Sequence, residues 1–530
     1  AISFAEGYFT LTEDQHVKSL ERVELKRLIA FVGMAIGMFL AVLNIQIVGS
    51  SFDEIKGGLA AGPEEVSWVL TSALIAEVIM IPMAGWLSRL MSTRWLFTTC
   101  TLVFGAASIG CAQSTSIDEM IIFRSLQGLA GGGLAPMIFA AIYVSYPKHY
   151  QNYLLAIMAL LGTSAMALGP SLGGWISEEA SWPWLFYFSV PFALLSAVMV
   201  FLCVDLDKPN WSIFRSIDLL GIALMASCFI CMLVVLEEGR RQDWFHSEMI
   251  VLLSIISLLS GILFVWRELA CKNPLIDLRV FVILNFSVGS FYVAGFGAGM
   301  FVPLYLLPLF LARIIGLNTW QIGSMLVVLG LTMMVCTFFM PWLMRTFTLR
   351  TIAITGFSLM ALGTWFQAQL NFDTGFLELL LPQVLRGIAT QMCFLSMVGL
   401  AVGSLPQAQV KAGTALFQLT MRLGAAVCVA IANNYLFVRS RHHYHVIRES
   451  TVAGDPTTQE TLEVLEATGP AILGESPWAV IASIQRYTLL GEREAMILAF
   501  NEVTTVVAIC LAVSLLFLPL VRKVKNGLNH

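Results

Sequence analysis

The chain has 530 residues, of which 58% are hydrophobic and 12% charged, with a formal net charge of −4. A soluble domain carries roughly twice that charged share. These proportions, with a mean hydropathy of +0.81, exclude an ordinary globular fold and point to many membrane-crossing helices. No basic block suggests nucleic acid as a partner.

Residues 1–27 are polar and mixed in charge, with no apolar stretch of signal-peptide type, and read as an N-terminal segment that is not cleaved. Fourteen apolar segments follow, each long enough to cross a bilayer as a helix. The first six cover 28–50, 66–90, 94–114, 118–145, 150–176 and 183–204; two more cover 217–236 and 249–267. The last six cover 284–311, 319–344, 351–370, 376–404, 411–437 and 495–520. Each is about 20 residues or longer and apolar on all faces, which favours helices over barrel strands. Most connections are short; the exception is 438–490, which is polar.

Fourteen crossings place both termini on one side. Lys and Arg crowd the termini and the even-to-odd loops, for example Lys26, Arg27, Arg89, Arg94, Arg345, Arg350 and Lys523. They outnumber those of the opposite loops, so both termini are expected in the cytoplasm and 438–490 outside.

The ten cysteines fall mostly inside apolar runs, as at Cys100, Cys111, Cys203, Cys336, Cys393 and Cys428, and read as small apolar side chains. Cys228 and Cys231 have C-x-x-C spacing within an apolar helix, a poor setting for redox chemistry or a metal. His442, His443 and His445 lie beside Arg439 and Arg441 in the long loop, without the Cys or acid cluster a metal site needs. They read as a solvated or partner-facing patch, and no metal site is expected.

Segment two ends Gly85-Trp86-Leu87-Ser88-Arg89 with Arg94 beyond; segment ten ends Pro341-Trp342-Leu343-Met344-Arg345 with Arg350 beyond. Segment four carries Arg124 and Gly128, and segment twelve Arg386 and Gly387. The shared order suggests two parallel halves, 28–204 and 284–520, separated by two inserted helices in 217–267 and followed by a tail, 521–530. Arg386 is then expected to be the counterpart of Arg124. In such repeats substrate binds near the midplane, between the halves.

Segment five reads Ala165-x-x-x-Gly169-Pro170-Ser171-Leu172-Gly173-Gly174. It resembles the GxxxGPxxGG motif of the major facilitator superfamily, 14-span drug:proton antiporter branch, EmrB/QacA type. Small residues let helices approach closely and proline bends a helix. Ordinary small-residue packing is the plainer reading of the same stretch. Further matches are Arg124-Ser125-Leu126-Gln127-Gly128, the Trp182-to-Pro191 start of helix six, Glu237-Glu238-Gly239 with Asp243-Trp244-Phe245, and Asn273 to Leu278. Arg422-Leu423-Gly424 brings the chain nearest to the EmrB side. The resemblance implies an all-α major facilitator fold, with two six-helix bundles plus two inserted helices.

Two departures stand out. The family's helix-one motif carries an Asp where this chain has Asn44. Asn has the shape of a protonated Asp but does not titrate. Asn44 is either natural, with proton coupling placed elsewhere, or an engineered neutral replacement. Ser88 stands where the family's loop motif has a second Asp, which removes the expected acid from that loop.

Glu77 is the only acid in segment two. At 1.5 Å per residue it lies about 16 Å along its helix, near the bilayer midplane. A carboxylate there marks a proton or substrate pathway by default, although a neutral buried acid held by a neighbour is the plainer reading. The proton-coupling candidates are Glu77, Asn44 and Arg124, with Arg124 expected against Asn44 or Glu77. The substrate-cavity candidates are Gln127, Tyr292, Tyr305, Arg386, Gln391, Phe394, Gln418 and Arg422; for Tyr292, Tyr305, Gln391, Phe394 and Gln418 core packing is the competing role. Three buried arginines with few acids lean towards anionic substrates. Glu502 reads as an interfacial acid.

The expected function is a proton-driven exporter of multiple drugs or other amphiphilic small molecules, working by alternating access and needing no cofactor. The alternatives are an exporter of one anionic metabolite or siderophore, and a symporter or facilitator of the same fold. No HExxH or GxxxxGK[ST] is present, so a secondary transporter is expected rather than an enzyme or an ATP-driven pump. The resemblance implies a bacterial inner membrane location. It also implies partnership with a periplasmic EmrA-like adaptor and a TolC-like outer-membrane channel.

Overall fold

The computed structural model describes residues 25–62, 65–211, 218–271, 274, 276–406, 409–450, 459 and 477–516. Among them the regular structure is helical throughout. The long helices are α1 (Leu25–Ser50), α2 (Ser67–Met91), α3 (Thr93–Gln113), α4 (Ile117–Ser145), α5 (Lys148–Glu179), α6 (Trp184–Cys203), α7 (Leu219–Glu238), α8 (Glu248–Ala270), α9 (Leu284–Ile315), α10 (Thr319–Thr346), α11 (Leu349–Gln367), α12 (Phe376–Ser404), α13 (Val410–Ser450) and α14 (Pro477–Ser514). Thirteen of the described helices are long and apolar enough to cross a membrane. α5 is a further helix of 32 residues that carries Pro170 inside it.

Helix ends are set by local chemistry. Asn318 and Gln321 form a reciprocal capping box at the start of α10, at 2.8 and 3.0 Å. Thr348 caps α11 and Ser116 caps α4. α9 ends in a π turn at Leu311–Ile315, closed by Gly316 at φ +78°, a left-handed conformation that glycine adopts without a Cβ clash.

The first six helices pack on one another, with α1 against α5 and α6, α2 against α4, and α3 against α4 and α6. α9 to α14 do the same, with α9 against α13, α10 and α11 against α12, and α14 against α11 and α13. α7 and α8 pair with each other, and α7 also touches α2 and α13. The two groups meet along α5 with α10 and along α2 with α13.

Sequence and structure differ at the long connection. α13 continues to Ser450 and α14 already begins at Pro477, so 438–450 and 477–490 extend the two helices rather than forming loop. Between them, 451–458 and 460–476, where the sequence around 457–467 is capable of forming a helix, lie outside the described residues. The His-Arg patch is therefore displayed on a helix.

The structure also re-registers the internal repeat. A Cβ at Gly128 would strike the carbonyl oxygen of Ala73 in α2, and one at Gly387 would meet that of Leu329 in α10 at 3.0 Å. Gln127 Nε2 donates to Ser108 Oγ on α3, and Arg386 Nη1 donates to Gln367 Oε1 on α11. Gly387, Arg386 and Gln367 follow Gly128, Gln127 and Ser108 at one constant interval. Arg386 is thus the counterpart of Gln127, and Gln383, one turn earlier, is the counterpart of Arg124.

Candidate functional site

In the N-terminal group a buried network forms around Arg124, which is 1% exposed. Its Nη1 donates to Asn44 Oδ1 and to Gln127 Oε1, both at 2.6 Å, and its Nε donates to the Val69 carbonyl at 2.9 Å. Gln127 passes the chain on to Ser108 at 2.7 Å, and Ser189 donates to Ser108 at 3.1 Å. α1, α2, α3, α4 and α6 are thereby tied through one guanidinium. A permanent cation in hydrocarbon must find acceptors, and here all of them are neutral.

Glu77 does not bond Arg124. It reaches across to the other group, where Arg422 Nη2 lies 2.9 Å from Glu77 Oε1. Both side chains are largely buried, at 14% and 11% exposure for Arg422 and Glu77. The ring of Phe301 lies 5.8 Å from the Arg422 guanidinium. Glu77 Oε2 and Arg124 Nη2 are buried without a hydrogen-bond partner. Both residues line one cavity of about 20 Å3, with Asn44, Gln127 and the glycines 128, 131 and 132. That volume suits a water molecule between polar groups, not an amphiphile.

The C-terminal network is sparser. Arg386 Nη1 donates to Gln367 at 2.6 Å and Nη2 to the Met300 carbonyl at 3.4 Å. Gln391 Nε2 donates to Thr337 Oγ1 at 2.6 Å. Tyr292 donates to the Ser514 carbonyl at 2.8 Å and packs edge-on to Phe357, a bonded core position. Tyr305 is 39% exposed, away from the Glu77 cavity lining. Phe394 is central: its ring lies 6.0 Å from Phe139 of α4 and 6.4 Å from Phe417 of α13. Gln418 is buried one turn from Arg422 on α13. The three arginines are not equally free of acids, because Arg422 has Glu77; this weakens the lean towards anionic substrates.

The sequence profile of the Major Facilitator Superfamily matches residues 34–429. This chain belongs to the Major Facilitator Superfamily. Within the superfamily it is an EmrB-type transporter, a multi-pass membrane protein and not an enzyme. It is 30% identical over 502 residues to the colistin resistance protein EmrB of Acinetobacter baumannii, covering 94% of this chain and 98% of that one. It is 26% identical over 491 residues to the multidrug export protein EmrB of Escherichia coli, covering 92% and 94%. It is 27% identical over 447 residues to the fatty acid resistance protein FarB of Neisseria gonorrhoeae, covering 83% and 87%. The solved proton:xylose symporter XylE superposes with a TM-score of 0.57 at 12% identity, covering 94% and 96%, a likeness of fold alone.

The motif residues of this facilitator-superfamily protein are packing elements at two interfaces. A Cβ at Gly169 would strike Gln46, so α5 lies hard against α1. Ser177 and Ser51 bond at 2.9 Å further along the same pair. Gly173 and Gly174 are buried, and Pro170 is half-buried within the helix. Ser171 faces the other way, into Gly323 of α10, where no Cβ would fit. The element thus joins α1 to α10 through α5.

Sequence reasoning missed Asp207. It lies beyond α6, and its carboxylate accepts from Thr93 N at 2.8 Å and Thr93 Oγ1 at 3.0 Å. This acid serves the positive end of α3, while Ser88 turns back to the Gly85 carbonyl at 3.1 Å. No spacing rule links Asp207 to a helix start over a hundred residues earlier. Glu502 is another convergence: Tyr435, Arg439 and His443 reach it at 2.9, 2.7 and 2.9 Å. Those three residues recur every four positions on α13, a stripe visible in the sequence once the segment is read as helix.

Proposed function

We propose that this protein is a proton-driven exporter of amphiphilic small molecules, with fourteen spans, both termini in the cytoplasm and a bacterial inner-membrane location. The observation that carries the reading is the Glu77–Arg422 ion pair, which joins α2 to α13 across the two groups. While Glu77 is ionised, the pair holds these helices together. Protonation removes the attraction and leaves the Arg422 charge buried without its counter-ion. That arrangement is costly, so the proton load and the relative position of the halves are linked.

Alternating access requires contacts at each end of the molecule to part in turn. Ser171 with Gly323 marks one end, and Arg345 over the Tyr153 ring at 5.5 Å marks the other. Amphiphiles are favoured as substrates because relatives are named for resistance to colistin and fatty acids and for multidrug export. The extended α13 and α14 are the natural docking point for a periplasmic adaptor that leads to an outer-membrane channel.

The test is export by purified protein in vesicles under an imposed pH gradient. Glu77→Gln is expected to lower gradient-driven export at least a hundredfold while folded protein persists in the membrane. Equal gradient-driven export by the variant and the parent would sink the assignment. Counterflow in vesicles of known orientation separates export from uptake.

A further inference from the structure

The N-terminal network is satisfied almost throughout, but its counterpart in α12 is not. Gln383 is 1% exposed, and both its Oε1 and its Nε2 are buried without a partner. One turn along, Arg386 is 3% exposed, and its Nε is likewise buried and unpartnered, although both terminal nitrogens are engaged. Unpaired amide and guanidinium groups are expensive to hold in hydrocarbon, and a fold keeps them where something else completes them.

The position of Gln383 says where that something comes from. Gln383 and Phe394 are about three turns apart on α12 and so share one face. Phe394 is where α12 meets Phe139 of the N-terminal group, with Phe296 and Phe417 beside it at 6.0 and 6.4 Å. Gln383 therefore lies on the face turned towards the junction of the halves, with an aromatic cluster further along the same face.

We infer that Gln383 and Arg386 form a head-group site for a carboxyl-headed amphiphile, whose apolar chain runs towards the Phe394 cluster. This deepens the exporter reading and rests on it. The chemistry is complementary. A carboxylate accepts from Gln383 Nε2 and Arg386 Nε, which satisfies the two orphaned donors with one charge-assisted contact. A quaternary or phosphonium cation offers neither a donor nor an acceptor and is repelled by Arg386.

The experiment measures melting temperature and binding on the purified full chain, with lauric acid and tetraphenylphosphonium as probes. Gln383→Leu removes two unpaired polar atoms at similar volume. It is expected to raise the melting temperature of the ligand-free protein and to weaken lauric acid binding at least tenfold, with tetraphenylphosphonium unchanged. Arg386→Lys, which keeps the charge but lacks Nε, is expected to weaken lauric acid in the same direction. A Gln383→Leu protein that melts lower, or that binds lauric acid with parental affinity, overturns the site. Parental protein that binds neither probe overturns the site and the exporter reading together. Parental protein that binds lauric acid regardless of Gln383 overturns the site alone.

Discussion

Arg124 in α4 and Arg386 in α12 are both fully buried arginines on corresponding helices, yet their surroundings differ. Arg124 has three neutral acceptors on α1, α2 and α4 and shares a cavity with Glu77. Arg386 has two acceptors and an unpaired Nε, next to an amide with no partner at all. One bundle is a nearly closed polar network, with Arg124 Nη2 and Glu77 Oε2 left unpartnered in residues that line a water-sized cavity, and the other is a more open one, with a whole amide and Arg386 Nε unpartnered. A closed network holds its shape and suits a fixed task such as handling one proton. An open network has hydrogen-bonding capacity to spare, as a varied ligand requires. The pseudo-symmetric scaffold thus carries two different chemistries at equivalent depth.

The most forceful way to break this comparison is to cut the bridge between the halves. Arg422→Ala strands the Glu77 carboxylate and is expected to cost about 3–5 kcal/mol, read as a large fall in melting temperature. Adding Glu77→Ala should recover most of that loss; no recovery would mean the two residues act independently. Next come the arginines themselves. Arg124→Met is expected to destabilise by about 2–3 kcal/mol and Arg386→Met by about 1 kcal/mol less, since fewer acceptors are abandoned. Equal losses would erase the distinction between closed and open networks.

The glycines give a smaller contrast. In Gly128→Ala the new methyl meets rigid backbone at Ala73 with no room, whereas in Gly387→Ala it meets the Thr332 side chain at 2.8 Å as well as backbone. About 2 kcal/mol is expected for the first and about 1 kcal/mol for the second, measured by thermal unfolding in the same detergent. The smallest effect is Asn44→Asp. It places a carboxylate 2.6 Å from Arg124 Nη1 and should stabilise by about 1 kcal/mol while changing the pH dependence of export. An unaltered pH profile would remove Asn44 from the proton path.

Much of the fold was legible because hydrophobic span length is a local property. Twenty apolar residues must be helical in a bilayer wherever they occur, so the segments and their order could be read directly. The small-residue motif of α5 was also local, and so was the acid in α2. The ends of α13 and α14 were harder, because polar residues such as Arg439 and His443 look like loop until Glu502 on a neighbouring helix gathers them. Arg386 was matched to Arg124 by residue type, but packing matched it to Gln127, because glycine contacts set the helix register and side-chain identity does not.

By itself, the sequence determined that this is a many-helix membrane protein of the facilitator type with a lone acid in α2 and buried arginines in α4, α12 and α13. Each of those follows from composition or from residues close together in the chain. The tertiary structure alone decided the pairings: Glu77 with Arg422 rather than Arg124, Asp207 with the start of α3, and Gln383 left unpaired. Charges and amides in hydrocarbon are governed by what lies within about 3 Å of them. Residues hundreds of positions apart reach that distance only when the helices are packed.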